Sequence, residues 1–140
     1  MEETNATATQ QERVPVGEGG VVHRKLSYAV VGCAQKVHRT LGPGFPESVY
    51  HRALCHELLK ARIPFESEKL SQVHYDEVLC GEFRMDIVIE NKLVLELKAL
   101  SRLTDDHTAQ AISYLKATGI RLAILLNFGA KSLEYKRVVL

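Results

Sequence analysis

Two acidic residues and a lysine near the middle of the chain, Asp86, Glu96 and Lys98, are of the types that could hold a divalent metal ion. Carboxylate oxygens are hard ligands of the kind that Mg²⁺ takes, and a nearby ammonium group can stabilise negative charge. The three residues fall in or next to two runs of alternating apolar and polar side chains, 83–89 and 93–97. This alternation predicts two β-strands, and the short polar segment between them predicts the turn of a β-hairpin.

The predicted hairpin has a register that its apolar residues define. Its apolar face consists of Phe83, Met85, Ile87 and Ile89 on the first strand and Leu93, Leu95 and Leu97 on the second. The register that pairs these sets places Asp86 directly opposite Glu96, and a slip of one residue would turn one strand to the wrong side. Facing carboxylates repel each other, so we expect a positive group between them. A metal ion beside Lys98 would meet this need, and the alternative is a polar face that is simply solvated.

The hairpin residues resemble the core motif of a nuclease superfamily. Asp86, followed by Glu96 and then Lys98 two positions later, resembles the D…(D/E)xK pattern of the PD-(D/E)xK nucleases. Met85 stands where the superfamily carries a proline before the first Asp, a position that is loose in the superfamily.

A second motif upstream strengthens this resemblance. Gly44, Glu47 and Tyr50 fill the named positions in the signature of the GxxExxY proteins, which are placed in the same superfamily. Downstream, the segment around Gln110 resembles the family's Gln-bearing helix, and residues 126–129 resemble its late strand. The chain is therefore similar to the GxxExxY proteins over most of its length.

The resemblance implies a fold of the α/β class, with a restriction-endonuclease-like core in which helices flank a central mixed β-sheet of about five strands. The elements predicted from the residues agree with it, because they run helix, helix, three strands, helix, two strands. Residues 1–22 are polar and lack periodicity, so we expect a disordered N-terminal tail there and a single nuclease-like domain over residues 23–140.

The resemblance also implies a metal-dependent nuclease. Glu47, Asp86 and Glu96 would bind Mg²⁺ or Mn²⁺, and Lys98 would orient the attacking water or stabilise charge on the phosphate. Gln110 would hold substrate or water. The implied partner is nucleic acid, with DNA favoured over RNA, and the reaction is hydrolysis of its phosphodiester bonds.

The helices and strands that carry these residues follow from apolar periodicity. The predicted helices span residues 27–41, 46–62 and 104–118, and the predicted strands span residues 65–75, 83–89, 93–97, 120–128 and 133–140. We expect Ser27 and Thr104 to cap the first and third helices. Glu47 shares a helical line with Tyr50 and later apolar residues, so we expect it to point towards the core. The alternative is an acid that complements the helix dipole.

Several other polar residues have more ordinary interpretations. We expect His38 to hydrogen-bond a loop carbonyl and Tyr50 to pack or orient. His107 and Tyr114 flank Gln110 on one stripe, which is either a half-exposed flank or a support for the site. The basic residues near the C-terminus, Lys131, Lys136 and Arg137, either contact nucleic acid or, as we favour, form a solvated face.

Composition places the chain among ordinary soluble domains. It has 140 residues, 46% apolar and 25% charged, with no apolar run long enough to span a membrane. The N-terminal residues lack an apolar core, so we expect no export signal. The three cysteines are scattered without CxxC spacing, which favours buried or free thiols in a reducing cytoplasm over a zinc site or a disulfide framework. The net charge of the chain is +1. Residues 1–20 have a net charge of −3, so the rest of the chain has a net charge of +4. That balance is compatible with phosphate contact.

Two other function classes fit the same residues. One is a catalytically inactive module that keeps the nuclease fold and binds nucleic acid or a protein. The other is a structural subunit that forms a homo-oligomer through its sheet edge. An inward Glu47 facing an Asp86–Glu96 pair favours the nuclease, because a pure binding module has no need of that acid constellation.

Overall fold

A five-stranded sheet lies at the centre of the computed structural model, which describes residues 22–140. The elements in chain order are α1 (Arg24–Leu41), α2 (Glu47–Lys60), β1 (Phe65–Tyr75), β2 (Val78–Ile89), β3 (Leu93–Lys98), α3 (Asp105–Thr118), β4 (Leu122–Asn127) and β5 (Glu134–Val139). The number, type and order of the elements are as predicted, and β2 extends further towards its N-terminus than expected.

The sheet is mixed, with strand order β1-β2-β3-β4-β5. Neighbouring strands are antiparallel except β3 and β4, which are parallel and joined through α3. A parallel pair requires a crossover connection, and α3 supplies it. The expected α/β class with a mixed five-stranded sheet flanked by helices is confirmed.

Two apolar cores lie on opposite faces of the sheet. One, between the sheet and helices α1 and α2, includes Val30, Leu54, Ile87, Leu95 and Ile124. The other lies under α3 and includes Val88, Val94, Ala111, Leu115 and Leu125. The central strand β3 is therefore covered on both faces, and the alternative of a solvated polar face is wrong for it. Val94, which alternation along the strand places on the same face as Glu96, is fully buried.

The β2–β3 hairpin has the predicted register. Ile89 pairs with Leu93 and Ile87 with Leu95, and Lys92 N–H closes the turn on the carbonyl of Ile89 at 2.8 Å. Glu90 and Asn91 both have positive φ, 52° and 55°. Positive φ at both central residues is what a type I′ turn requires, and such a turn matches the twist of the flanking strands.

Alternation along β2 fails at Asp86, and one prediction fails with it. Asp86 is paired in neither the β1–β2 ladder nor the β2–β3 ladder. Opposite it on β1, Glu68 has a positive φ of 56°. Because the strand is irregular there, Met85 and Phe83 pack in the core under α3 instead of sharing the face of Ile87.

The N-terminal boundary also differs from the prediction. Helix α1 begins at Arg24, so Ser27 is not its cap: it is buried in the first turn, where its hydroxyl donates to the carbonyl of His23 at 2.9 Å. Val22, placed in the tail by composition, is buried, and its carbonyl accepts a 2.7 Å hydrogen bond from Arg137. The rest of the predicted tail, residues 1–21, lies outside the described residues.

The remaining sequence expectations concern thiols and membranes. All three cysteines are free thiols, as expected. Within residues 22–140, no helix combines the length and apolar character needed to cross a bilayer.

Candidate active site

Asp86 and Glu96 meet where the β2–β3 ladder ends. Asp86 N–H donates to Oε2 of Glu96 at 3.2 Å, and Leu97 N–H donates to Oδ2 of Asp86 at 2.7 Å. The backbone pairing of β2 with β3 stops at Ile87 and Leu95. Beyond that pair, the two strands are joined by hydrogen bonds from backbone N–H groups to the carboxylates of Asp86 and Glu96. Each carboxylate is fixed through one oxygen to the backbone of the opposite strand. The structure brings the two predicted acids together, as the register required.

Glu96 carries the strongest electrostatic perturbation at this site. Its side chain is buried, with 4% of the residue exposed. Burial, with the charge of Asp86 as a second cause, raises the pKa of Glu96 to about 8, although the Asp86 N–H and Lys98 oppose the rise. Desolvation and a like charge both disfavour the ionised form. The pair is therefore short of positive charge.

Lys98 ends β3 and lies half-buried beside the acids. Its ammonium lowers the pKa values of both Glu96 and Glu47 relative to what burial alone would give. Its backbone carbonyl accepts a hydrogen bond from Phe128 N–H at 2.8 Å, which continues the contact between the ends of β3 and β4. Lys98 thus supplies positive charge next to the pair, but not enough to cancel the repulsion at Glu96.

Glu47 is the first residue of α2, and the expectation that it points into the core is wrong. Its side chain is exposed, because the buried line of α2 begins one turn later at Tyr50. The pKa of Glu47 is nevertheless raised, first by partial desolvation and then by the charge of Asp86, while Lys98 and His51 oppose the rise. Glu47 therefore lies within electrostatic reach of the acids and of Lys98.

A metal-binding cluster of three ligands is absent from the described part of the chain. Over residues 22–140, no three His, Cys, Asp or Glu side chains are gathered closely enough to hold a metal ion. The predicted ligand set of Glu47, Asp86 and Glu96 is thus present as a bonded pair with a third acid nearby.

Tyr50 fixes the loop from which α2 starts. Its hydroxyl donates to the carbonyl of Gly42 at 2.6 Å and accepts from Phe45 N–H at 3.2 Å. Its ring is fully buried and stacks on Phe128, with ring centroids 4.8 Å apart. Gly44, in the same loop, has φ of 118°, which a residue with a side chain rarely adopts. Tyr50 is a packing and orienting residue, as predicted, and it determines where Glu47 lies.

Helix α3 contributes the residues on the other side of the acids. The ring of Tyr114 stacks on Phe83 with centroids 4.3 Å apart. Burial raises the pKa of Tyr114, and the charges of Glu96 and Asp86 add to this. Gln110 lies one helical turn earlier with an exposed side chain. Gln110 is thus on the helix that approaches the acids.

His107 has a structural role instead. Its Nδ1 accepts a hydrogen bond from Thr104 N–H at 3.0 Å, so it completes the N-terminal cap of α3. Thr104 is the helix cap that the sequence predicted.

His38 is also structural, as expected. Its Nε2 lies 2.9 Å from the carbonyl oxygen of Ala130, in the loop after β4.

Asn127 is a residue that sequence reasoning missed. It is fully buried at the end of β4, where it is the partner of Lys98 in the parallel ladder. Its Oδ1 accepts from Leu100 N–H at 2.8 Å and from Gly129 N–H at 3.1 Å. Its Nδ2 donates to the Leu100 carbonyl and to Oε1 of Glu134, both at 3.0 Å. The available signal was a lone amide at the end of an apolar run.

The same network fixes the loop that follows Lys98. Oε1 of Glu134 also accepts from Leu103 N–H at 3.0 Å. A Cβ atom at Gly129 would collide with the backbone of Leu100, so only glycine fits there. Together these contacts hold residues 99–103 against the β4–β5 connection. They therefore fix the backbone that directly follows Lys98.

His51 is a second residue that sequence reasoning missed. It lies one turn after Glu47 on α2, and its Nε2 is 2.7 Å from the hydroxyl oxygen of Ser67 on β1. The electrostatic interaction of Glu47 with His51 opposes the rise in the pKa of Glu47.

A model of the PD-(D/E)XK nuclease superfamily matches residues 24–138. No curated protein matches the chain. A solved structure titled "Crystal structure of SSO0001" is similar to it with a TM-score of 0.55 and 17% sequence identity; the match covers 87% of this chain and 57% of that one. At this identity the likeness concerns the fold alone, which is consistent with a restriction-endonuclease-like core. On the family match, the chain belongs to the PD-(D/E)XK nuclease superfamily.

Proposed function

We propose that this protein is a metal-dependent nuclease of the GxxExxY type that hydrolyses phosphodiester bonds in nucleic acid. The observation that carries the proposal is the Asp86–Glu96 pair, fixed by 2.7 and 3.2 Å bonds to the opposite strand. The pKa of Glu96, raised to about 8, marks a site where negative charge is not balanced by nearby positive charge. Perturbed acids of this kind cluster at functional sites.

The donor set fits a hard divalent cation. The two backbone bonds use Oδ2 of Asp86 and Oε2 of Glu96, so Oδ1 and Oε1 do not take part in them. Mg²⁺ is commonly held by one or two carboxylates together with water and substrate phosphate, and two protein acids suffice for such a site. Asp86 and Glu96 would hold Mg²⁺ or Mn²⁺, and Glu47 would join them as a third acid. When bound, the cation lowers the pKa of water and stabilises charge on phosphate oxygens.

The other residues have roles that follow from their positions. Lys98 lies within electrostatic reach of Glu96 and Glu47, so it would stabilise negative charge developing on the phosphate or orient the attacking water. Gln110 would contact water or substrate from α3. Tyr114, held by its stack on Phe83, would support that side of the site. Asp86 and Glu96 are fixed before substrate arrives, which lowers the cost of positioning.

The substrate that we favour is DNA, and we place the protein in the cytoplasm. The residues outside the N-terminal segment carry a net positive charge, which supports contact with a polyanion. The chain spans 57% of the length of the solved structure that it resembles. A homo-oligomer or a partner protein would extend the grip on substrate.

One observation favours a second candidate function. Glu47 is exposed, and no complete three-ligand cluster is formed within residues 22–140. A catalytically inactive module that binds nucleic acid or protein through the same fold would show this arrangement. The two candidates differ in whether divalent metal ions produce cleavage.

The test is cleavage of single-stranded and duplex DNA and RNA with Mg²⁺ or Mn²⁺ by wild type and two lysine variants. Lys98→Ala should abolish cleavage, with a loss of roughly 10²-fold or more, and leave the thermal unfolding midpoint nearly unchanged. Lys92→Ala is the matched control, because Lys92 is an exposed lysine in the turn of the same hairpin. If Lys98→Ala cuts as fast as Lys92→Ala, the role given to Lys98 is wrong. If wild type cuts none of the substrates with either metal, the inactive module replaces the nuclease.

A further inference from the structure

A polar pocket that contains none of the candidate active-site residues lies on the face of the sheet covered by α1 and α2. It is a pocket of about 500 Å³ between the C-terminal half of α1 and the loop that joins β4 to β5. Its lining includes Gln35 and Arg39 from the helix, and Lys131 and Ser132 from the loop. No acidic side chain lines it among the residues that the structure describes.

The two walls of this pocket are held together by a buried histidine. His38 is 6% exposed, and its Nε2 lies 2.9 Å from the Ala130 carbonyl, the residue before Lys131. This bond fixes the loop against α1, so Arg39 and Lys131 approach the same space from opposite walls. Neither forms an ion pair with an acid of residues 22–140 as the structure describes them. The pocket is thus a fixed, positively charged concavity.

The pocket is structurally connected to the acids. His38 packs on Phe128 with ring centroids 6.2 Å apart, and Phe128 stacks on Tyr50 at 4.8 Å. Tyr50 bonds to Gly42, which also lines the pocket, and it fixes the loop before Glu47. On the other side, Phe128 N–H bonds to the carbonyl of Lys98. One aromatic stack therefore positions both the pocket and the loop that bears Glu47.

We propose that this pocket binds a non-scissile phosphate of the nucleic acid whose backbone is cut at Asp86 and Glu96. Arg presents a planar fork of donors that matches phosphate oxygens, and Lys adds a compact charge. The Ser132 hydroxyl and the Gln35 amide supply neutral donors of the kind that contact nucleic-acid backbones. The inference rests on the proposed nuclease function for its geometry, but it makes a separate claim about binding.

The test is the affinity of a fluorescein-labelled DNA oligonucleotide, single-stranded and duplex, measured by anisotropy in EDTA so that no cleavage occurs. The variants are Arg39→Ala, Lys131→Ala and the two combined. The combined variant should bind roughly tenfold or more weakly, and the slope of log K against log salt should shrink by about two. Lys131→Arg should retain most of the affinity, because it keeps the charge.

The control that matches each single variant is Lys116→Ala, which removes one exposed positive charge from the far end of α3, on the opposite face of the sheet. If the combined variant binds as tightly as Lys116→Ala, the pocket does not contact nucleic acid and the inference is wrong. It is also wrong if inorganic phosphate fills the pocket without weakening oligonucleotide binding.

A second readout separates this inference from the nuclease function. Hydrolysis of bis(p-nitrophenyl) phosphate, a diester too small to reach both sites, should be unchanged in the combined variant. If wild type hydrolyses neither this diester nor DNA, yet oligonucleotide binding depends on Arg39 and Lys131, then the nuclease function fails and the pocket assignment stands.

Discussion

Two buried polar junctions lie side by side at the ends of adjacent strands, and they are built in opposite ways. At the end of β4, the amide of Asn127 uses its oxygen twice as an acceptor and its nitrogen twice as a donor. At the end of the β2–β3 ladder, Asp86 and Glu96 place two acids together with one backbone donor each. The first junction is fully matched, and the second has an excess of negative charge.

The difference separates a structural role from a functional one. A buried polar group whose partners are all present stabilises a loop, and losing it leaves several groups unsatisfied. A buried carboxylate with a raised pKa lowers the stability of the ionised protein, so it is retained for another reason. We therefore expect substitutions at the two junctions to have opposite effects on stability and activity.

The largest expected effect is on cleavage. Glu96→Gln should reduce metal-dependent cleavage roughly 10²–10³-fold or more, because it removes a charged ligand from the proposed site. The same change should leave the thermal unfolding midpoint at pH 8 equal to or above that of wild type. It removes a carboxylate whose ionised form is disfavoured by burial and by the charge of Asp86. Cleavage rates and thermal unfolding are measured on the same preparation. A stable variant that cuts at the wild-type rate would contradict the role of Glu96.

The next effect is on stability at the matched junction. Asn127→Leu should lower the free energy of unfolding by about 3 kcal/mol, because two N–H groups, a carbonyl and Glu134 lose a buried partner. Denaturant unfolding monitored by circular dichroism measures this. Gln72→Leu, at an exposed position on β1, is the control and should change stability little. Equal stability of the two variants would show that the Asn127 network does not support the fold.

The third effect is a dependence of stability on pH. The pKa of Glu96 rises from 4.5 to about 8 on folding, so the folded protein holds a proton that the unfolded chain releases between these values. Its contribution to stability is fully present below pH 4.5 and is lost as pH rises through about 8. Without metal, the free energy of unfolding should fall by up to about 1.4 kcal/mol per pH unit within that window. Glu96→Gln should lack this component of the slope, and a slope identical to wild type would contradict the assignment.

The smallest effect concerns the cap of α3. His107→Ala removes the acceptor for Thr104 N–H and should cost about 1 kcal/mol of stability, with cleavage nearly unchanged. Gln110→Ala, one turn further along, should instead reduce cleavage and leave stability unchanged. Measuring both quantities on both variants distinguishes the cap from the proposed site residue. If His107→Ala lost cleavage activity while its stability was unchanged, His107 would have to be assigned to the active site as well as to the helix cap.

The sequence predicted the parts that depend on local periodicity. The helices, the strands, the hairpin register and the meeting of Asp86 with Glu96 followed from apolar patterns, because a slip in register would have exposed a buried strand face. Periodicity failed where the backbone is irregular. It could not show that Asp86 is unpaired in both ladders. For this reason Phe83 and Met85 were predicted on the face of Ile87, whereas they pack on the opposite face of the sheet, under α3.

The parts that depend on contacts distant in the chain were not predictable. Asn127 bonds to Leu100 and Glu134, and no spacing rule connects these positions. The exposure of Glu47 depends on the loop anchored by Tyr50, which sets the start of α2. Ser27 looked like a cap because its residue type suits one, but His23 and Val22 extend the structure beyond it.

The most direct test of the central claim is calorimetry of Mn²⁺ and Mg²⁺ binding to wild type and to a protein carrying Asp86→Asn and Glu96→Gln together. We predict that wild type binds the metal and releases a proton at pH 7, seen as a binding heat that changes with buffer ionisation enthalpy, because Glu96 must ionise. The double variant should unfold at a similar temperature and show neither binding nor proton release. Equal metal binding by the two proteins would contradict a metal site at Asp86 and Glu96.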